Sequence, residues 1–564
     1  MFSEILSHPF DKAKRGIGIM KRIVAGMAVA TLTGSILGLS GCGTSPTAVS
    51  NKTHKPLVVV SGPSGVFSEN FNLFSSSLLV GTDGLIYQPL FFFNPNNSQI
   101  EPILGKTFHW SQNDTVLTVD LRHGVRWSNG KPFNASDVVF TFNYLKKYPE
   151  LDTTGVWSFL SSVKQAGQYS VVFTFKKAEV PMDWYVLGQT QIIPQFIWSS
   201  ITDPTKTLNL KPVGTGPYVV HSFNPEEYTL SANPLYWGGK PAVAQLDFPA
   251  YSSNTSIAGA LAEGKIDWAS IFIPNINRTY VKHDPQTNHY WFAPSSMLML
   301  YTNLKNSLLA QLPVRKAISL ALNRKKLNAA DYNAAPAANP YDLLLPAQRN
   351  WLPASLASHA TLPYNPAQAQ AILKQAGFKK NTAGIFVSPS GHPLSFTLQV
   401  VSSYSEWVAM ASTISTELRR VGIKVTVQGE SDSLYVSNVL SRHNYEMALS
   451  WTDNGPTPFY SYYAMLYPNR VTNNENWSNS RTTHWLNVYL QTSQSKVQHQ
   501  AIAAIASIVA SKMPSIPLVE TPTWFEYTTK NFTGWPSAAN PYAQGGPWLS
   551  PSSGLITSHL HPVK

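Results

Sequence analysis

Residues 121–138 read LRHGVRWSNGKPFNASDV, and no other stretch of the chain is as informative about its fold. The alternation of apolar and polar residues in 116–121 predicts a strand that ends where this stretch begins. Asn129-Gly130 is typical of a hairpin turn. Asn134 or Ser136 is suited to cap a helix that runs through Val138 to Lys147. A strand, a tight turn and a capped helix are therefore predicted in direct succession.

Further short motifs follow in a recognisable order along the chain. They are Tyr87-Gln88-Pro89-Leu90, Val213-Gly214-Thr215-Gly216-Pro217-Tyr218, Asn233-Pro234-Leu235-Tyr236-Trp237, Val314–Arg324 and Asn365–Phe378. Together with residues 121–138 they resemble the signature of the family 5 extracellular solute-binding proteins, the peptide, oligosaccharide and nickel receptors of bacterial ABC importers. Gln88, Leu322 and Asn323 depart from the family pattern, which has an acid, Ile and Asp there. The resemblance spans about Pro56 to Ala543 and identifies a scaffold rather than a ligand.

This resemblance implies an α/β protein with the two-lobed, type II periplasmic-binding-protein fold and an extra subdomain inserted in lobe one. We expect lobe one to comprise residues 56–84, 209–300 and 518–564, the inserted subdomain residues 85–208, and lobe two residues 301–517. The two crossings, near Leu300 and Pro517, would form a hinge. Ligand would lie between the lobes and favour their closed arrangement.

Composition narrows the classes of function. Charged residues make up 13% of the 564 residues, about half of the ~25% usual for soluble domains. The net charge is +12, but the basic residues are scattered along the chain, which argues against a nucleic-acid partner. The positive sign of the net charge fits attraction to an anionic membrane surface better. The scarcity of carboxylates and a pI near 9.4 would suit an acidic exterior. A single cysteine excludes intrachain disulfides and cysteine-based metal clusters.

The first residues are typical of a bacterial lipoprotein leader. Lys21-Arg22 precedes an apolar run over 23–39, and Leu39-Ser40-Gly41-Cys42 resembles a lipobox, which implies lipidation of Cys42. We therefore expect a signal peptide over residues 1–41, with Met20 as the true start, and a flexible tether over 42–55. The mature protein would lie on the outer face of the cytoplasmic membrane or in the periplasmic space. An uncleaved membrane anchor is the alternative, since the run is close to spanning length.

Motifs of catalysis are incomplete. Gly214-Thr215-Gly216 lacks the later glycine of a dinucleotide fingerprint, and Gly105-Lys106-Thr107 lacks the upstream glycine of a phosphate loop. The chain has neither a His-Glu-x-x-His helix nor a Gly-x-Ser-x-Gly elbow. No histidine cluster indicates a metal site. We predict that the protein is not an enzyme and holds neither a cofactor nor a metal.

Four residues are predicted to bind the ligand: Trp451, Asp453, Tyr463 and Trp524. In the peptide-binding branch of the family, an Asp in a Trp-x-x-Asp-Tyr-x-x-Pro-like segment pairs with the peptide amino terminus; here the segment 451–459 is one residue shorter between Trp and Asp. The motifs at 534–536 and 540–543 resemble the cello-oligosaccharide receptors of the same family. Aromatic faces suit pyranose rings, so both ligand classes stay open.

The predicted function is capture of an oligopeptide or oligosaccharide for delivery to an ABC permease and its ATPase subunits. The protein is expected to act as a monomer, attached to the membrane through its lipid, with no nucleic-acid partner. The alternatives are a sensor or adhesion lipoprotein on the same scaffold and, with less support, a nickel-chelate receptor or an enzyme.

Replacement of the lipobox cysteine tests the leader. Cys42→Ser should release the protein from the membrane fraction or block its maturation, because the acyl chains that anchor it could no longer be attached. Fractionation followed by immunoblotting measures this. A variant that is processed normally and stays in the membrane fraction would show that the lipobox interpretation is wrong.

Overall fold

The computed structural model describes residues 55–331, 343–357, 364–452 and 454–563. The predicted signal peptide, nearly all of the tether, Met20, Cys42 and Asp453 lie outside the described residues. Within the described part of the chain, no helix is both long enough and apolar enough to cross a bilayer. Three principal sheets organise the described residues.

A seven-stranded sheet forms the centre of lobe one. Across the sheet its strands are Asn288–Tyr290, Glu526–Thr528, Trp268–Ala269, Leu57–Val60, Gln245–Pro249, Glu227–Ala232 and Tyr218–Asn224. Leu57–Val60 is β-branched and mostly buried, and it pairs in parallel with the strands on both sides. A strand buried on both faces is typically a continuous apolar run, as Leu-Val-Val-Val is here.

A five-stranded sheet forms the centre of lobe two. In order its strands are Lys424–Glu430, Ser395–Val401, Met447–Trp451, Ala293–Thr302 and Ile516–Thr523. The first three run in parallel, so that their carboxyl ends lie at the same edge of the sheet. In open α/β sheets this edge faces the ligand crevice.

The inserted subdomain contains a four-stranded antiparallel sheet and one long helix. Its strands, in order, are Gly105–Ser111, Val116–Leu121, Ser170–Phe175 and Leu160–Gly167. The helix Ala135–Lys147 begins after Asn134, whose side chain and that of Asp137 form a capping box. Asn134 is thus the cap, rather than Ser136, because its carboxamide oxygen accepts the Ser136 N–H at 2.8 Å.

Short strand pairs and further helices complete the fold. The pairs are Phe91–Phe93 with Ile100–Pro102, Lys379–Lys380 with Phe386–Val387, and Phe532–Thr533 with His561–Pro562. The other helices of eight or more residues are Asn254–Ala262, Leu312–Ala321, Arg324–Asp331, Pro366–Gln375, Ser405–Val421, Pro458–Leu466, Ser480–Leu490, Ser495–Lys512 and Ser552–His559.

The chain crosses between the two large sheets earlier and returns later than expected. The crossings lie between Tyr290 and Ala293 and between Thr523 and Glu526. The predicted crossings at Leu300 and Pro517 are wrong, because both residues lie within strands of the five-stranded sheet. Those strands pair antiparallel with each other along their lengths, so their buried residues belong to a single lobe.

The family motifs meet in space at the junction of the subdomain and lobe one. Trp127 is fully buried, and its indole N–H donates to the Asp137 carboxylate at 3.3 Å. The Arg122 guanidinium lies 4.0 Å from the ring centroid of Trp237, whose indole N–H donates to the Gln88 side chain at 2.9 Å. These residues stabilise the fold. Gln88 serves as an acceptor without the negative charge of the family's acid.

The Gly-Thr-Gly-Pro-Tyr motif has a steric reason. A Cβ at Gly214 would lie 1.9 Å from the carbonyl oxygen of Ile86, and one at Gly216 would lie 2.2 Å from that of Leu85. Only glycine lets these two backbone segments approach so closely.

Replacement of Gly214 tests this contact. Gly214→Ala should lower the free energy of unfolding by at least ~2 kcal/mol, because backbone must move to admit the methyl group. The matched control is Gly259→Ala on the exposed face of helix Asn254–Ala262, where nothing lies within 4 Å of the added Cβ. Gly259→Ala should raise the free energy of unfolding by ~0.5–1 kcal/mol, because alanine has the higher helix propensity. Urea unfolding measures both, and equal stabilities would contradict the steric account.

Candidate functional site

A cavity of about 200 Å³, here called the interlobe cavity, lies where the subdomain, lobe two and the C-terminal part of lobe one meet. It is lined by Phe92, Phe93, Pro95, Trp184, Gly188, Gln189, Pro294, Ser295, Leu345, Asn454, Gly455, Pro456, Gln544, Leu549, Ser550, Pro551 and Ser552. None of these lining residues is acidic or basic. Its volume is below the ~300–1,000 Å³ typical of sites for whole small-molecule ligands, so it suits one unit of a longer ligand.

The lining combines aromatic faces with neutral hydrogen-bonding groups. Phe92, Phe93 and Trp184 come from the subdomain. Gln189, of the subdomain, and Gln544, of the C-terminal part of lobe one, bring carboxamides. Aromatic rings pack against apolar ligand faces, while carboxamides and hydroxyls can both donate and accept hydrogen bonds. This chemistry suits hydroxyls and peptide groups, and the described lining residues offer no counter-charge to an ionic ligand.

The loop after strand Met447–Trp451 is held firmly at the cavity. The Asn454 carboxamide donates to the carbonyl oxygen of Ser295 at 3.0 Å and to the Thr452 hydroxyl at 3.1 Å, and accepts from the Ser461 hydroxyl at 2.8 Å. Gly455 lies so close to Tyr460 that a Cβ there would be 2.5 Å from the ring. Asp453 itself lies outside the described residues, but both of its neighbours are fixed in place.

The subdomain touches lobe two along a contact that we call the seam, formed by residues 98, 114 and 181–185 on one side and 456–460 and 493 on the other. The Tyr460 hydroxyl donates to the carbonyl oxygen of Pro181 at 2.6 Å, and its ring centroid lies 4.7 Å from that of Trp184. The Ser98 hydroxyl donates to the Pro456 carbonyl oxygen at 2.7 Å. The seam thus closes one side of the interlobe cavity.

A second polar contact lies at the end of the seam. The Asp114 carboxylate accepts hydrogen bonds from the backbone N–H and hydroxyl of Ser493 at 3.0 and 2.8 Å. This contact joins a subdomain turn to lobe two.

Ionisable groups lie near the cavity but not in its wall. Asp183 is 8% exposed, and burial raises its pKa to about 7. Arg349 lies 3.9 Å from the carboxylate of Glu520, which is itself buried. Among the described residues, no group of three or more His, Cys, Asp or Glu side chains is placed to hold a metal ion.

Trp451 lies at the carboxyl end of its strand, as expected for a residue facing the crevice. Its ring packs against those of Trp407 and Tyr404, with centroids 4.4 and 5.8 Å apart, and its carbonyl oxygen accepts from the Tyr301 hydroxyl at 3.0 Å. Trp451 therefore belongs to an aromatic cluster of lobe two and does not line the interlobe cavity.

Trp524 lies at the second crossing. Its ring meets those of Phe292, at the first crossing, and Phe272, with centroids 4.7 and 5.4 Å apart. The Ser270 hydroxyl donates to its carbonyl oxygen at 2.7 Å. These contacts place Trp524 at the hinge between the lobes.

Tyr463 lies in a stack of rings on helix Pro458–Leu466. Its ring is stacked on Phe459 at 5.0 Å, and the Arg470 guanidinium lies 4.4 Å from its centroid. The structure therefore does not gather Trp451, Tyr463 and Trp524 in one pocket. Their role as ligand-binding residues stays a prediction.

Sequence reasoning missed the contribution of the subdomain to the cavity. Phe92, Phe93, Trp184 and Gln189 line the cavity, but none of them lies in a motif on which the sequence analysis rests. The turn signal Asn94-Pro95, directly after the apolar residues 90–93, is a local indication that this strand ends at a surface.

The comparisons with known proteins agree with this architecture. Residues 99–473 match the family model described as bacterial extracellular solute-binding proteins, family 5. The chain is 26% identical to the nickel-binding periplasmic protein of Escherichia coli over 62% of this chain. The match spans 66% of that protein, which is just under two thirds of its length. It is 24% identical to the di/tripeptide-binding protein 2 of Pseudomonas aeruginosa, over 80% of this chain and 86% of the relative.

A solved structure extends the similarity to nearly the whole chain. The periplasmic oligopeptide-binding protein of an oligopeptide ABC transporter from Thermotoga maritima is 26% identical, with a TM-score of 0.80, over 90% of this chain and 99% of that one. The same protein with bound mannohexaose gives a TM-score of 0.71 over the same shares. The two-lobed, type II periplasmic-binding-protein fold is thereby confirmed. The chain belongs to the bacterial extracellular solute-binding proteins of family 5.

Proposed function

We propose that this protein captures a neutral oligomer, an oligosaccharide or an oligopeptide, between its lobes and delivers it to the permease of an ABC importer. The proposal rests on the described lining of the interlobe cavity, which has aromatic rings, carboxamides and hydroxyls and includes no acidic or basic residue among those residues. A buried charge on a ligand would find no partner there and would cost several kcal/mol. Neutral groups can be fully hydrogen-bonded.

Two observations bear on the choice of ligand. The Thermotoga maritima relative carries mannohexaose in one structure, although its own description is oligopeptide-binding. The aromatic rings of Phe92, Phe93 and Trp184 support stacking on sugar rings, while the carboxamides of Gln189 and Gln544 suit peptide groups as well as sugar hydroxyls. We therefore propose both classes. A nickel chelate has less support, because the described residues contain no group of ligating side chains.

We further propose that the protein is a monomeric lipoprotein anchored through Cys42 outside the cytoplasm, with a permease and its ATPase subunits as partners. The lipobox-like sequence supports the anchor, and the family of importers to which its relatives belong supports the partners. We propose that it releases its ligand unchanged, because its sequence offers no nucleophile and base pair for catalysis. A sensor lipoprotein would use the same cavity without a permease.

Adding a charge to the cavity tests the proposal. Gln189 lines the cavity but is exposed in this structure, so a bound ligand would cover it. Gln189→Glu should therefore weaken binding of the neutral ligand at least about ten-fold, because binding would then bury an unpaired carboxylate. Gln165→Glu, on the exposed outer strand of the same subdomain, is the matched control and should bind as the wild type does. Thermal shift with di- to pentapeptides, cello- and xylo-oligosaccharides, mannohexaose and nickel identifies the ligand, and calorimetry measures its affinity. Equal affinities for both variants would place the ligand elsewhere.

Two further substitutions separate the ligand classes. Trp451→Ala should weaken binding without unfolding the protein, if the aromatic cluster supports the ligand. A large loss of affinity in Asp453→Asn would show a charge-assisted hydrogen bond to a peptide amino terminus, whereas the proposed neutral ligand predicts a small loss, for a sugar as for a peptide bound through its neutral groups. Calorimetry with the identified ligand measures both. Unchanged affinity in both variants would exclude these two residues from the site.

A further inference from the structure

A buried acid lies in the seam between the subdomain and lobe two. Asp183 is only 8% exposed, and it precedes Trp184 and Tyr185, whose rings lie 4.7 and 6.2 Å from that of Tyr460 on lobe two. On its other side, the Pro181 carbonyl oxygen accepts a hydrogen bond from the Tyr460 hydroxyl. Lobe two therefore covers Asp183 when the seam is formed.

The groups that face Asp183 carry no compensating charge. From lobe two these are the phenols of Tyr460 and Tyr489, and burial raises the pKa of both, so that each is neutral. From the strand Gly105–Ser111 the neutral indole of Trp110 approaches the carboxyl group.

The charged groups of this region have other partners. Lys177 forms an ion pair with Glu179 at 3.3 Å, and Arg470 lies over the ring of Tyr463 at 4.4 Å. Among the described residues, no lysine or arginine forms an ion pair with Asp183 in the seam.

A carboxylate buried without a counter-charge is strongly disfavoured, so the group takes up a proton instead. The same carboxyl group in water would ionise near pH ~4. Its protonation state therefore differs between a seam that is formed and one that is open to solvent. Burial raises the pKa of Asp183 to about 7 in the formed seam.

We propose that formation of the seam takes up one proton at Asp183, so that the closed arrangement of the lobes is favoured in acid and loosened as the pH rises towards neutral. The carboxylate of the open seam gains a proton from solvent on closing and becomes a neutral carboxyl group; on opening the proton returns to solvent. The sign follows from linkage: a group whose pKa is higher in the closed state stabilises that state at low pH. This stabilisation is lost between the open-state and closed-state pKa values. The inference goes beyond the proposed function, since it concerns the lobes themselves and no particular ligand.

Hydrogen exchange of the full-length protein without added ligand measures the seam directly. Peptides covering residues 180–190 and 456–466 are followed from pH ~5 to ~8, with rates corrected for the intrinsic pH dependence of exchange. In the wild type, the opening equilibrium constant obtained from the corrected exchange rates of these peptides should rise at least about ten-fold over this pH range. One unit of difference in pKa between the open and closed states corresponds to a ten-fold change in this constant. Asp183→Asn, which mimics the protonated carboxyl group, should show less than about a two-fold change over the same range.

Two controls make the result decisive. Strand Ser395–Val401, in the core of lobe two, reports whether each variant is folded. Asp114→Asn removes an acid that bonds Ser493 across the same seam; it should loosen the seam but keep the pH response of the wild type. The proposal is overturned if wild-type seam exchange is flat with pH, if Asp183→Asn responds as the wild type does, or if Asp114→Asn alone abolishes the response.

Discussion

The pairing of strand Ala293–Thr302 with strand Ile516–Thr523 is the interaction on which the rest of the structure depends. The two strands run antiparallel, with the crossings between lobes at their outer ends. There the Trp291 N–H donates to the carbonyl oxygen of Phe525 at 3.0 Å, so that the two crossing peptides are held side by side. A hinge made of two connections that lie side by side restricts the lobes to one main opening motion. The interlobe cavity and the seam both form where the lobes meet at the closed end of this motion.

Burial of acids without counter-charges is a second theme of the molecule. Glu475 is fully buried in lobe two, and burial raises its pKa to about 8, as burial in the seam raises that of Asp183 to about 7. Both groups are neutral in the folded protein at low pH. Their contribution to stability is therefore fully present below their unfolded pKa values and is lost as the pH rises through about 7 to 8. This direction agrees with the acidic exterior that the scarcity of carboxylates suggested.

The fold could be predicted where short-range physical rules act. The Asn134 cap and the turn at Asn129-Gly130 each leave a local pattern, and the order of the short motifs along the chain indicates the family. The predicted crossings are wrong because the apolar parts of the paired strands, 297–301 and 516–519, are shorter than the strands themselves. The strands continue through Pro294-Ser295-Ser296 and Glu520-Thr521-Pro522, which have no apolar strand pattern. The cavity depends on contacts between residues far apart in the chain, such as Trp184 with Tyr460, which leave no local pattern at all.

If a neutral oligomer is bound between the lobes, it should accompany the protein when the protein is isolated from its native cell. The protein is purified under native conditions without added ligand, denatured, and the released small molecules are identified by mass spectrometry. We expect an oligosaccharide or a short peptide, and the unit of it that the interlobe cavity encloses should carry no charge. Release of a nickel chelate, or of a ligand whose binding depends on a charged group at the enclosed unit, would contradict it.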